Sequence, residues 1–252
     1  ILHGAAEILY SPALGKTEPH MFLSSVAGTG KVADAVNQAI RSNYLNDDST
    51  TEEQYSGNLV LVKDIVIKYL NSCLLPFDSL HGGYVVEELE KRIGCEFGFE
   101  VNGQCQRVVF SGMADRIDRL DGGLVRVVDY KTGVGSLKFK GIESLFSDIG
   151  AERNAAALQT LLYAMMINRT DDTDVQPSLY FIRQLNGDGY SPLLEDTLSK
   201  SMVYSYSRYK QQLEDKLQVV LAELFNTDIP FSQCEDAKTC VYCDFNTICR
   251  RQ

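Results

Sequence analysis

The chain has 252 residues, 44% of them hydrophobic, enough apolar material to bury a sizeable core, and no Pro/Gly/Ser-rich linker divides it. Its formal charge of −10 and pI near 4.8 are the opposite of the basic footprint of a protein that neutralises phosphates unaided. No run of about 18 apolar residues suggests a membrane span, and no charged-then-apolar leader suggests secretion. Seven cysteines, an odd number, argue against a secreted disulfide framework and for a reducing cytoplasm. The expectation is one domain over residues 1–252 with a cysteine-rich tail from about 230. Because the chain opens at Ile1, without methionine and already in a helical pattern, it is expected to be the C-terminal fragment of a longer protein.

Helical periodicity predicts a first helix over Leu2 to Tyr10. Leu2, Ala5, Ala6 and Leu9 form its apolar stripe and leave His3 and Glu7 together on a neighbouring face. Gly28-Thr29-Gly30-Lys31 has the look of a phosphate loop, but a true one needs glycine where Ser25 stands and a hydroxyl where Val32 stands, so no nucleotide site is expected there. Helices follow over Val32 to Tyr44 and Asn58 to Leu74, with the polar stretch Asn46 to Gln54 as a loop between them. Strand patterning runs from Tyr84 to Tyr130. A helix over Ala155 to Ile167, a strand over Pro177 to Arg183, a loop over Asn186 to Tyr190 and a long helix from about Leu198 to Phe225 complete the series. This order of elements predicts a mixed α/β fold.

The central strand region carries the chemistry. Gly112-Met113-Ala114-Asp115-Arg116-Ile117-Asp118 is followed by Asp129-Tyr130-Lys131-Thr132-Gly133, with Asp121-Gly122-Gly123 between them as turn residues. If those three residues form the loop, Leu120 faces Leu124, and counting back one pair at a time sets Asp115 opposite Asp129 with Cβ atoms roughly 5 Å apart. Alternation along the strand places Lys131 on the face of Asp129. Two carboxylates so close repel unless a cation sits between them, and Mg²⁺ is commonly held by one or two carboxylates plus substrate phosphate. Such a metal polarises a phosphoryl oxygen and acidifies a bound water, which a neighbouring lysine can orient or deprotonate.

Gln159 and Tyr163 lie four apart on the predicted helix and point the same way. Glu90, within Glu87-Glu88-Leu89-Glu90, is a candidate further ligand, with Glu88 as its competitor. Arg116, Arg119, Arg126, Lys131, Lys138 and Lys140 concentrate positive charge around the hairpin. At the far end, Cys240-x2-Cys243-x5-Cys249, with Cys234 upstream, offers thiolates that could converge on one zinc or iron-sulfur centre. The alternative is thiols packed among Tyr242, Phe245 and Ile248. Cys73, Cys95 and Cys105 read as core residues.

The Gly-x-x-Asp-Arg-hydrophobic-Asp and Asp-Tyr-Lys-Thr-Gly blocks resemble those of the PD-(D/E)XK nuclease superfamily, and Gln159-Thr160-Leu161-Leu162-Tyr163 resembles the Gln-x-x-x-Tyr helix motif of its RecB-like branch, which includes AddB-type exonuclease domains. The resemblance implies a restriction-endonuclease-like mixed β-sheet flanked by helices, with a C-terminal cysteine-rich segment. It implies a Mg²⁺- or Mn²⁺-dependent deoxyribonuclease, an exonuclease of bacterial DNA recombination or repair acting in the cytoplasm. Asp115, Asp129, the backbone carbonyl of Tyr130 and His3 would hold the metal, with Glu90 as a candidate addition. Lys131 would position the attacking water, and Gln159 and Tyr163 would orient lysine and substrate. DNA is the implied partner, presented by an upstream helicase-like region of the same chain and a helicase-nuclease partner subunit. The cysteine run resembles one that holds a 4Fe-4S cluster, whose fourth ligand would come from before Ile1 or be replaced by Cys234. A nuclease-fold module that binds DNA or anchors a metal cluster without cutting is the competing reading.

Overall fold

The computed structural model describes residues 1–146, 153–233, 240–241 and 243–250. The chain opens with a helical layer: α1 (Leu2–Tyr10), α2 (Pro19–Val26), α3 (Gly30–Ala39), α4 (Gly57–Tyr69) and α5 (Leu75–Leu80). Three long strands follow, β1 (Tyr84–Val101), β2 (Gln104–Leu120) and β3 (Val125–Lys131). After them come β4 (Lys138–Phe139), α6 (Gly141–Ser144), α7 (Ala155–Asp171), β5 (Val175–Phe181), β6 (Glu195–Asp196), β7 (Ser201–Met202) and α8 (Lys210–Phe225).

The main sheet has the order β1-β2-β3-β5, antiparallel except for the β3–β5 pair. That parallel pairing needs a crossover, and α7 supplies it. A smaller sheet joins β4, β6 and β7. Alternation on β3 divides the two cores. Val128 and Tyr130 face the helical layer with Leu9, Tyr10, Val36 and Leu74, whereas Val127 packs with Leu161, Met165, Leu179 and Leu213 beneath α7 and α8. This is the restriction-endonuclease-like mixed sheet flanked by helices that the sequence led us to expect, with cysteines at the C-terminal end.

Three details differ from expectation. The helix predicted over Leu198 to Phe225 begins at Lys210, because Ser199 and Ser201 sit in a turn and strand gathered around Asp196, which accepts from the Leu198 N–H at 3.0 Å and the Ser199 hydroxyl at 2.6 Å. Such side chains compete with helical bonding. The α2 helix, opened by Pro19 at its first turn, and the α5 helix, which continues from α4 through a π-helical stretch at Leu70–Leu74, add to the layer that the pattern reading outlined only in part. Cys73 is buried and Cys95 half-buried, but Cys105 is exposed on β2 and is not a core residue. Among the described residues no helix is long and apolar enough to cross a membrane.

Candidate active site

The turn chemistry sets the register as expected. Leu120 donates to Leu124 O at 2.8 Å across Asp121-Gly122-Gly123, and both central glycines adopt positive φ, a conformation glycine takes without strain. Arg119↔Val125, Asp118↔Arg126, Ile117↔Val127 and Arg116↔Val128 follow, so the next residues in the same register are Asp115 and Asp129. At this point the Tyr130 N–H donates to Asp115 Oδ2 at 2.6 Å. Lys131 Nζ lies 2.7 Å from Asp129 Oδ2 and donates to Gln159 Oε1 at 2.8 Å, and Gln159 Nε2 donates to the Tyr163 hydroxyl at 2.8 Å. From the other layer, α1 brings His3 Nε2 to 3.2 Å from Tyr130 O and 3.5 Å from Asp115 Oδ2. Residues spread from position 3 to position 163 therefore meet at one end of β3.

Glu90 and Glu88 are separated by a local irregularity. Glu90 has φ +44° and stands between the pairs Leu89↔Arg116 and Lys91↔Ala114, across from Asp115, just past a register shift between Val86 and Glu88. Glu88 instead pairs with Lys91 at 2.9 Å. Burial, reinforced by the Asp115 charge, pushes the Glu90 carboxyl up to about 6. Burial likewise pushes Asp115 up to about 6, with His3 and the Tyr130 N–H opposing the rise and Asp129 adding to it. Asp129 is raised by burial against the pull of Lys131. Carboxylates held in this state favour whatever brings positive charge, a proton or a cation.

The donors suit a hard divalent cation. Asp115, Asp129 and the Tyr130 carbonyl offer oxygens at one end of β3, and Asp129 Oδ2, though buried beside Lys131, accepts no hydrogen bond of good geometry. Two carboxylates with waters suffice for Mg²⁺. Among the described residues no three His, Cys, Asp or Glu side chains already close on a common point, and the Tyr130 carbonyl would stand beside the two carboxylates as a further oxygen donor. The same statement covers the tail: Cys240, Cys243 and Cys249 are half-buried without converging in a ligand set, and Cys234 lies outside the described residues. Phe245 and Ile248, named in the alternative reading, are exposed, and Tyr242 lies outside the described residues.

Sequence reasoning misjudged the arginines. Arg116 is fully buried on the opposite face from Asp115, Arg126 donates to Asp118 at 2.6 Å, and Arg119 pairs with Glu87 at 2.6 Å. None of the three is an open cation for a phosphate. The signal was present in the alternation, since Arg116 pairs with Val128 on the side that carries the first core. Asp78 on α5, the buried partner of Arg116 at 2.6 Å, carried no comparable mark in the sequence.

A helix-flanked mixed sheet with two carboxylates facing each other and a lysine beside the second defines a nuclease of the restriction-endonuclease-like class. A family model for the PD-(D/E)XK nuclease superfamily matches residues 1–250, and the chain belongs to that superfamily. Comparison with curated proteins returns no match.

Proposed function

We propose that this chain is a Mg²⁺- or Mn²⁺-dependent deoxyribonuclease of the RecB-like branch, an exonuclease serving recombination or repair. The observation that carries the reading is the continuous chain from Asp129 through Lys131 and Gln159 to Tyr163, with links of 2.7, 2.8 and 2.8 Å, set beside Asp115 in register. A binding-only module has no need to hold a lysine so exactingly.

In this reading Asp115, Asp129 and the Tyr130 carbonyl hold the cation, with His3 and Glu90 completing its surroundings. The cation, when bound, polarises the phosphoryl oxygen and lowers the pKa of a bound water. Lys131 orients the attacking water and stabilises charge that develops on the phosphate. Gln159 accepts from Lys131 and donates to Tyr163, which fixes the direction of the ammonium. The acidic balance of the chain, with its hairpin arginines engaged internally, supports delivery of the DNA strand by a helicase-like region or partner subunit rather than capture by the domain's own field.

The test is a metal titration with end-labelled DNA. Cleavage that requires Mg²⁺ or Mn²⁺ and releases nucleotides from an end supports the exonuclease reading. Metal-dependent internal cuts would assign an endonuclease. DNA binding without cleavage at any metal concentration would assign the non-cutting module.

A further inference from the structure

The region directly behind the candidate site is a buried ionic cluster. Arg116 uses every N–H of its guanidinium: Nη1 donates to Asp78 Oδ2 at 2.6 Å and to the Tyr130 hydroxyl at 3.1 Å, Nη2 to Asp78 Oδ1 at 3.3 Å and to the Tyr180 hydroxyl at 3.2 Å, and Nε to Asp118 at 3.2 Å. Tyr10 donates to the same Asp78 carboxylate, and Tyr180 does so at 3.3 Å. Rings of Tyr10, Tyr84, Tyr130 and Tyr180 surround the guanidinium with centroids 5.2 to 5.8 Å from its carbon. Arg116 and Asp78 are both almost wholly shielded from solvent.

Such a cluster is poorly explained by stability. Removing ions from water costs several kcal/mol each, and apolar replacements of similar volume are often as stable or more so. What distinguishes this one is where its members sit in the chain. Arg116 directly follows Asp115, and Tyr130 directly follows Asp129. Tyr10 ends the helix that carries His3. Residue 130 is held at three atoms: its hydroxyl by Arg116, its N–H by Asp115 and its carbonyl by His3.

We infer that Asp78 and Arg116 are positioning residues, which hold the β2 and β3 backbones and α1 so that the carboxylates of Asp115 and Asp129 and the carbonyl of Tyr130 converge on one cation. The inference rests on the metal-dependent reading above. Asp78 acts at the greatest remove: among the described residues its carboxylate bonds to Arg116, Tyr10 and Tyr180, and it reaches the site through them.

The experiment compares wild type, the apolar pair Asp78→Leu/Arg116→Met, Arg116→Lys and Tyr130→Phe. Mn²⁺ affinity is measured by calorimetry without DNA, alongside thermal unfolding and kcat. Loss of such supporting contacts costs about 10- to 100-fold in metal affinity or activity. That loss is expected in the apolar pair while it still unfolds cooperatively, and Arg116→Lys should not rescue it, because an ammonium cannot supply the fork. Tyr130→Phe, which deletes only the hydroxyl, should weaken Mn²⁺ binding several-fold with little change in melting temperature, and it decides the matter if the apolar pair fails to fold. Folded variants with wild-type Mn²⁺ affinity and kcat would overturn the inference and leave the nuclease reading intact. A wild-type protein that neither binds Mn²⁺ nor cuts DNA would overturn both.

Discussion

Gly112 lies against the ring of Tyr163, so closely that a Cβ on residue 112 would fall 2.6 Å from Tyr163 Cε1. The contact joins the first residue of the Asp115 block to the last residue of the Gln-x-x-x-Tyr helix motif and gives a physical reason for that glycine. Gly112→Ala is expected to displace the ring, at an overpacking cost of about 1 to 3 kcal/mol, and to disturb the Gln159 and Lys131 links behind it. Tyr163→Phe keeps the ring and deprives Gln159 of its acceptor, for which a loss of about 1 kcal/mol, roughly fivefold in rate, is expected. Single-turnover cleavage and thermal melts of both variants separate the packing effect from the hydrogen bond.

Asp129→Ala removes a candidate ligand and Lys131→Ala removes the charge beside it. Each should lower cleavage by about two to three decades, corresponding to about 3 to 4 kcal/mol, with the fold intact by circular dichroism. Wild-type-like rates from either purified variant would sink the assignment.

Metal-free protein should show an unusual pH profile of stability. The Asp115 and Glu90 carboxyls, raised to about 6 by burial, bind protons more tightly in the folded state than in the unfolded chain, where carboxyls titrate near about 4. Their contribution is therefore full below the unfolded value and is lost as pH rises through about 6. Asp78 has the opposite sign. Burial pushes its carboxyl up, but Arg116 and the Tyr10 hydroxyl outweigh that and hold it below the usual range, so its contribution is present above the unfolded value and is lost as pH falls through the folded one. Calorimetric melts in chelator should thus show the contribution of these two carboxyls, Asp115 and Glu90, falling between about pH 4 and 6. Mn²⁺ should restore more stability at the upper end of that window than at the lower, where protons compete for its ligands. A Mn²⁺ effect that is flat with pH would count against these carboxylates as ligands.

The tail cysteines and the hairpin oxygens should behave independently, because thiolates are soft ligands suited to zinc or iron-sulfur centres and carboxylates are hard. Cys243→Ser is expected to leave Mn²⁺ affinity at the hairpin within about twofold while changing zinc or iron content and loosening the tail. Elemental analysis of anaerobically purified protein provides the check. Neither metal, with native thiols open to alkylation, would establish that the segment carries no cluster.

What the sequence revealed followed from local rules. Asp121-Gly122-Gly123 fixes a turn, the turn fixes the pairing, and pairing with alternation brings Asp115, Asp129 and Lys131 together without knowledge of the rest of the fold. Gln159 and Tyr163 share a helix face by spacing alone. The placement of His3 beside Tyr130, 127 residues away, came only through the family resemblance, since no spacing rule reaches that far. Glu90 was separated from Glu88 by a register shift and one positive φ, which three neighbouring glutamates do not announce. Arg116 was counted as a cation near the hairpin because charge was tallied without asking which face each residue took. The helix drawn through residues 198–209 failed because Asp196 collects the hydroxyls and N–H groups that a helix would have used.

The span between interacting residues also bears on how the protein comes to be active. Asp115 and the Tyr130 N–H are 15 residues apart and joined by a tight hairpin, whereas Lys131 meets Gln159 across 28 residues and His3 meets Tyr130 across 127. Closing short loops costs less entropy, and contacts of large sequence separation form late. During refolding the paired carboxylates should therefore exist before the lysine is aimed and before the first helix docks. A refolding chain should acquire weak cation affinity early, and the full arrangement of Asp129, Lys131, Gln159 and His3 last.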